Sequence, residues 1–510
     1  MVATSQPLAV EAAINVLRNG GNAIDAAVTA TATLSVIEPQ STGLGGDLFA
    51  LIWLAKEQRL IGLNASGRAS HLASAEALLA AGHNRVPMEG TLSITTPGML
   101  DGLGRCLSDY GTISLAQALA PAIFYAEDGF PVTEITAQMW TRAAAKLSRN
   151  AESARLWLPD GRAPQPGEVF RNPDLARTLS LIAEHGIEVF YRGELGEKLV
   201  KAVCDLGGTL HIDDLKHHTS DLVEPISVSY RGCDVVELPP NNQGLAALIA
   251  LNLAEGFQLN TLQLHSADYL HCLIEAMKLG FADAHAYIAD PREPIHLETL
   301  LSKQYAAQRR SEIRADKSII ARPGLSSPGD TVYVAAVDEQ RNVVSMISSL
   351  YKAFGSGVTV PGTGLALQNR GAGFTLEAAH PNRLAPGKRP FHTIIPAMIL
   401  REGRPSLCFG VVGGMMQAQA HLQVASNLID FQMNPQAALD APRFRILEDG
   451  HIALEDGISE TARAELAARG HQLKSEQTEE GYGGGQAILI SDEALCGGSD
   501  PRKDGCAIGY

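Results

Sequence analysis

The chain has 510 residues, 41 basic against 56 acidic side chains, and a formal net charge of −15. That balance argues against nucleic acid or an anionic membrane surface as a partner. No run of about 20 apolar residues exists, so no helical span is expected, and the length suffices for one large domain or two to three smaller ones.

The chain starts Met1-Val2-Ala3-Thr4-Ser5, with no basic or apolar signal segment. The expectation is a cytoplasmic protein, or a periplasmic one if a leader precedes it. The seven cysteines are scattered and form no CxxC pair. They read as reduced, small apolar fillers. His217-His218, His265 and His271 read as structural or solvated, so neither a metal nor a cofactor is expected.

In chain order, Pro7 to Leu34 is alanine-rich and helical, broken at Asn19-Gly20-Gly21-Asn22 by a cap and turn between two helices. The second helix is apolar nearly all round and reads as buried. Gly43-Leu44-Gly45-Gly46-Asp47 leads into a strand over 48–54. It lacks the spacing and following helix of a phosphate loop. Residues 112–127 and 173–186 carry helical periodicity. Tyr230 to Leu238 reads as one strand, and Ser266 to Ala289 as a long helix. Residues 312–330 are polar and rich in Pro, Gly and Ser, the composition of an exposed, cleavable loop. Strands follow at 331–338, 343–350 and 394–401, then the Gly413-Gly414 element, a helix near 416–430 and a strand at 486–491. Mixed strands and helices with antiparallel hairpins indicate an α+β or layered α/β fold.

Thr331 opens the strand after the cleavable loop. A threonine in that place becomes a nucleophile if the chain is cut just before it, because the new α-amine sits beside the hydroxyl and can take its proton. An unperturbed α-amine has a pKa of about 7.7–8.0, suited to a general base near neutral pH. Taken alone, a strand threonine is an ordinary β-branched filler.

The wider pattern is more specific. It includes Leu17-Arg18-Asn19-Gly20-Gly21-Asn22-Ala23-Ile24-Asp25-Ala26-Ala27, Gly43-Leu44-Gly45-Gly46, Thr96-Pro97-Gly98 and Ala126-Glu127-Asp128-Gly129-Phe130. Glu275-Ala276, Ala282-Asp283 and Asp290-Pro291 follow. Gly387-Lys388-Arg389-Pro390, Gly413-Gly414, Ala441-Pro442-Arg443-Phe444 and Gly498-Ser499-Asp500-Pro501-Arg502 complete it. In this order the motifs resemble the γ-glutamyltransferase family of N-terminal-nucleophile hydrolases over nearly the whole chain. The resemblance implies a four-layer αββα sandwich. It also implies a proenzyme that cuts itself between Asp330 and Thr331, giving a large subunit (1–330) and a small subunit (331–510) that stay together as a heterodimer, with further dimerisation left open.

Carried over residue by residue, the resemblance makes Thr331 the nucleophile and gives Ser349 the place of a second hydroxyl that steadies it. Gly413 and Gly414 take the place of the oxyanion hole, where backbone N–H groups approach the developing charge. Asn342 is read as structural. The substrate pocket departs from the family pattern. The acidic segment that holds a substrate α-amine is replaced by Asn369-Arg370-Gly371-Ala372-Gly373-Phe374, in which Arg370 suits a carboxylate instead. His392-Thr393 stand for a serine pair, Tyr351 for an asparagine, and Arg68 lies two places from the expected arginine. The stretch 375–386, where other members carry a lid, is short. Together Arg68, Tyr351, Asn369, Arg370, His392 and Thr393 suggest a small amide whose acyl group ends in a carboxylate, of oxamate type or glutaryl type. A γ-glutamyl hydrolase or transferase with a rebuilt pocket, and a non-catalytic relative that never cleaves, remain the alternatives.

Overall fold

A computed structural model describes residues 1–319, 330–474 and 481–510. Two β-sheets lie face to face with helices on both outer faces, a four-layer αββα sandwich. The first sheet has seven strands in the order Cys506–Ile508, Val2–Thr4, Asp330–Val337, Val343–Tyr351, Asp47–Leu54, Arg59–Ala65, Asp221–Val223. The second has six, in the order Leu495–Ser499, Gly485–Ile490, Arg404–Val411, Ala397–Arg401, Cys233–Glu237, Ile226–Tyr230. Every pairing within these two sheets is antiparallel.

Period-two alternation assigns each side chain to a layer. On the strand Asp47–Leu54, Leu48, Ala50, Ile52 and Leu54 pack outward on the first helical layer. Phe49, Leu51 and Trp53 point between the sheets. Val332, Val334 and Ala336 likewise face the helices, and Tyr333, Ala335 and Val337 the inter-sheet layer. The second sheet answers with Val236, Met398 and Cys408 inward, and Val235, Ile399 and Phe409 toward its own helices. A strand buried on both faces reads as a continuous apolar run, which is why the strands around 48 and 331 were legible.

The helix Ala23–Ile37 is fully buried, and a capping box starts it: the Asn22 side chain accepts from Asp25 N, and the Asp25 carboxylate accepts from Asn22 N. Two elements differ from the sequence reading. The expected single strand from Tyr230 to Leu238 is a hairpin, Ile226–Tyr230 and Cys233–Glu237, turned at Arg231 (φ 52°) and Gly232 (φ 80°). The left-handed pair Arg-Gly supplies a tight turn that an apolar window averages away. The strand Arg404–Val411, missed earlier, pairs with Ala397–Arg401. Asn342 is structural as expected, its amide bridging Asp338 Oδ2 (2.8 Å) and Ala55 N (3.0 Å). Most of the expected cleavable loop, 320–329, lies outside the described residues.

Candidate active site

Three adjacent strands of the first sheet bring Thr331, Ser349 and Asp47 together at one end of the inter-sheet layer. Ser349 stands opposite Asp47 in the ladder. Thr331 shares the inward parity of Tyr333. Thr331 Oγ1 donates to Ser349 Oγ at 3.4 Å and accepts from Gln417 Nε2 at 3.3 Å. Both hydroxyls are buried.

Beside them sits Arg370, with no exposed surface. Its Nη1 donates to Thr393 Oγ1 (2.9 Å) and its Nη2 to Ser349 Oγ (3.3 Å), while its Nε has no hydrogen-bond partner among the described residues. The guanidinium lies 4.0 Å over the Tyr351 ring, close enough for a cation–π contact. Tyr351 holds φ at 84°, where the ladder shifts register between Ser348 and Tyr351. A non-glycine residue in that region is a local strain that surrounding structure must hold, and such strain gathers at functional sites. The bulge aims the ring beneath Arg370 and the Tyr351 N–H at Ser349 Oγ (2.7 Å). Burial brings the Arg370 pKa down to about 10, opposed by Tyr351 and Asp47, so the group stays charged at neutral pH.

The counter-charge is Asp47. Its Oδ1 accepts from Gly67 N (2.9 Å), Gln368 Nε2 (3.1 Å) and Gly98 N (3.3 Å), and its Oδ2 meets His392 Nε2 at 3.1 Å. Burial pushes its pKa up to about 6 against the pull of Arg370. His392 is held well below the usual imidazole range by burial and by Arg370 and Arg389, so it is neutral. Its Nδ1 accepts from Ile394 N (3.4 Å), which leaves the proton on Nε2, facing Asp47.

Gly413 (φ 116°) and Gly414 (φ 62°) turn the chain from the strand Arg404–Val411 into the helix Met416–Ile429. These left-handed conformations suit glycine. Neither N–H has a hydrogen-bond acceptor among the described residues. The Gln243 side chain fixes the turn from below, donating to Gly414 O (2.8 Å) and to Thr393 O (2.5 Å). The arrangement sets two buried hydroxyls beside a buried cation, and joins the glycine turn to them through Gln417, whose N–H donates to Gly414 O (3.2 Å) and whose Nε2 donates to Thr331 Oγ1 (3.3 Å).

The family profile described as gamma-glutamyltranspeptidase matches residues 9–510. The chain belongs to that family. It is 38% identical over 520 residues to the glutathione hydrolase-like YwrD proenzyme of Bacillus subtilis, covering 100% of this chain and 98% of the relative. It is 35% identical over 525 residues to the oxamate amidohydrolase proenzyme of Klebsiella pneumoniae, again covering 100% and 98%. Among solved structures, cephalosporin acylase from Bacillus halodurans superimposes with a TM-score of 0.93 at 43% identity, over 100% of this chain and 96% of that one. The fold is therefore that of the N-terminal-nucleophile hydrolases, and this γ-glutamyltranspeptidase-family member is an enzyme of the amide hydrolase and acyltransferase class.

Within this family frame the structure gathers Thr331, Ser349, Tyr351, Arg370 and Thr393 into one hydrogen-bonded group, with Gly413 and Gly414 linked to it through Gln243. Three expected pocket residues behave differently. Arg68 turns to Asp221 and Asp290 (3.4 Å each) and, among the described residues, makes no hydrogen bond to the Arg370 group. Asn369 is a clamp whose amide spends both ends on Met88 O (2.7 Å) and Lys352 N (3.1 Å). His392 lies fully buried against Asp47 and edge-on to Phe49. Residues 375–386 are irregular, and their Leu376 and Leu384, with the preceding Phe374, cluster with Ala75, Leu78 and Val86.

Sequence reasoning missed Asp47 as the nearby counter-charge of Arg370, and missed Gln243 and Gln417. Asp47 carried a signal, an acidic residue opening an otherwise apolar strand. The two glutamines carried none. Elsewhere, His271, Glu275 and His471 are close enough to share an ion. They are engaged instead in a hydrogen-bonded chain with Lys278, whose ammonium donates to Glu275 Oε1 at 2.8 Å.

Proposed function

We propose that the chain cuts itself between Asp330 and Thr331 and that the freed Thr331 hydrolyses a small amide whose acyl group ends in a carboxylate. The observation that carries this reading is the shared hydroxyl of Ser349, which contacts both the Thr331 hydroxyl and the buried Arg370 guanidinium. A buried cation that has one open donor among the described residues, at Nε, is suited to an anion.

In the first step Thr331 Oγ1 attacks the substrate carbonyl and its proton passes to the Thr331 α-amine. The oxyanion is received by the Gly413 and Gly414 N–H groups. The C–N bond then breaks as the ammonium returns its proton to the leaving nitrogen, giving an acyl ester and ammonia or an amine. Water, deprotonated by the same α-amine, opens the ester. Arg370 Nη2 and Thr331 Oγ1 both bond Ser349 Oγ, so they lie within two hydrogen-bond lengths of each other. A unit as short as oxamate spans that separation, whereas a glutaryl chain would have to fold. The short acyl group is therefore favoured, in keeping with the Klebsiella relative's name.

The test is a screen for ammonia release from oxamate, succinamate, glutaramate and glutamine, beside a denaturing gel. Two fragments, the smaller beginning Thr-Val-Tyr, and turnover greatest for the short carboxylate-bearing amides are expected. Thr331→Ala should remain one band and be inert. An active Thr331→Ala variant, or preferred release from glutamine, would overturn the reading.

A further inference from the structure

The Gln417 side chain is fully buried and reaches the same oxygen that the proposed chemistry uses. We propose that Gln417 is the positioning residue of the nucleophile: its carboxamide holds the Thr331 hydroxyl in one orientation and stabilises the charge that grows on Oγ1 during attack. This rests on Thr331 being the nucleophile.

The direction of the amide is fixed by chemistry. Gln417 Oε1 accepts from the Ile395 N–H at 3.0 Å, and a backbone N–H can only donate. The oxygen end must therefore face Ile395, which turns the NH2 end toward Thr331 Oγ1 at 3.3 Å. A carboxamide nitrogen has no basic lone pair to offer, so Gln417 cannot take the Thr331 proton. It occupies one lone pair of Oγ1 and leaves proton removal to the α-amine.

The placement couples three parts of the site. Gln417 lies in the first turn of the helix Met416–Ile429, and its own N–H donates to Gly414 O (3.2 Å), closing the glycine turn. Its Oε1 grips Ile395, two residues from Thr393, the hydroxyl that receives Arg370 Nη1. A shift of the glycine turn or of the Thr393 segment would thus be felt at the nucleophile. Donation to an oxygen that gains charge acts more strongly in the transition state than in the ground state, so its removal should lower kcat with little change in KM.

The experiment compares full-length wild type, Gln417→Leu, Gln417→Glu and Thr331→Ala. It reads the rate at which the Thr331 fragment appears on a gel, and the kcat, KM and pH profile of ammonia release from oxamate and succinamate. Gln417→Leu should slow fragment appearance and lower kcat by roughly tenfold or more, each tenfold being one decade of rate, with KM nearly unchanged. Gln417→Glu keeps the shape and the Ile395 contact but sets a carboxylate beside the new α-amine. The other charged or titratable groups around that amine (Arg370, Asp47, His392 and Tyr351) stay as they are. The acidic limb of kcat/KM should then move up by about one pH unit, because a neighbouring carboxylate favours the ammonium form. If Gln417→Leu does not fold, the pH limb of Gln417→Glu decides. Variants with wild-type scission, kcat and pH limb, beside an inert Thr331→Ala, would overturn the role of Gln417 alone. An active Thr331→Ala would instead remove the reading on which it rests.

Discussion

Arg370 holds a full positive charge with no exposed surface, on two hydroxyls, one tyrosine face and the field of Asp47. Removing a charged group from a buried, hydrogen-bonded pair with a ligand costs roughly 2–5 kcal/mol or more. For Arg370→Gln, kcat/KM on a carboxylate-bearing amide should therefore fall by about 30-fold or more relative to that on a neutral amide of the same length. The ratio between the two substrates is the quantity to measure, since Arg370 also touches Ser349 and its loss will slow both. Lysine should not restore the ratio, because it lacks the planar fork that reaches Ser349 and Thr393 together and stacks on Tyr351. A ratio that Arg370→Gln leaves unchanged would mean that the substrate carboxylate binds elsewhere.

At the scale of elements, the long helix Ala267–Tyr287 anchors the chain ahead of residue 320. The Arg314 carbonyl can only accept, so His271 Nε2 carries the proton in their 2.7 Å contact. The Lys278 ammonium can only donate, so His471 Nδ1 faces it as acceptor (3.5 Å) and His471 Nε2 donates to His271 Nδ1 (2.8 Å). Glu275 closes the group by accepting from Lys278 (2.8 Å) and from Ile319 N (2.8 Å). Burial, with Lys278, His271 and Arg469 nearby, lowers the His471 pKa to about 3. An unfolded histidine titrates near 6.5, so between the two values the unfolded chain binds the extra proton. The stability that neutral His471 contributes is present above about pH 6.5 and is lost as pH falls toward 3. Melting temperatures measured from pH 7 to pH 4 should therefore drop more steeply for wild type than for His471→Gln. Parallel curves would exclude this group as a source of acid sensitivity.

Over the whole molecule, the residues on either side of position 330 are interleaved. Strands from the 1–330 part and the 331–510 part pair at Val2–Thr4 with Cys506–Ile508, Val2–Thr4 with Asp330–Val337, Asp47–Leu54 with Val343–Tyr351, and Cys233–Glu237 with Ala397–Arg401. The inter-sheet layer mixes both parts too, with Phe49 and Leu238 beside Tyr333 and Ile488. After the proposed scission, the pieces of 330 and 180 residues should elute together from a sizing column and separate only in denaturant. Separation of the cut pieces in dilute buffer would contradict this architecture as the state of the mature protein.

What could be read from the chain alone was local. Apolar runs of strand length marked the two buried sheets, and the Gly20-Gly21 pair marked the cap and turn between the first two helices. A hairpin of two strands after a Pro/Gly/Ser-rich stretch brought Thr331 and Ser349 near one another, because antiparallel neighbours must meet. The Gly413-Gly414 pair by itself marked only a turn, which its left-handed backbone bears out; its place at the site came from the family resemblance. What the tertiary structure alone decided was which distant groups face each other. Asp47 lies within the electrostatic field of Arg370 and accepts from Gln368 and His392, more than 300 positions away in sequence. Gln417 reaches Thr331 across the two sheets, Arg68 is drawn off by Asp221 and Asp290, and Arg231-Gly232 splits one expected strand into two. Period and composition fix which face of an element is buried; the identity of its neighbour depends on how the layers close, and no local pattern carries that.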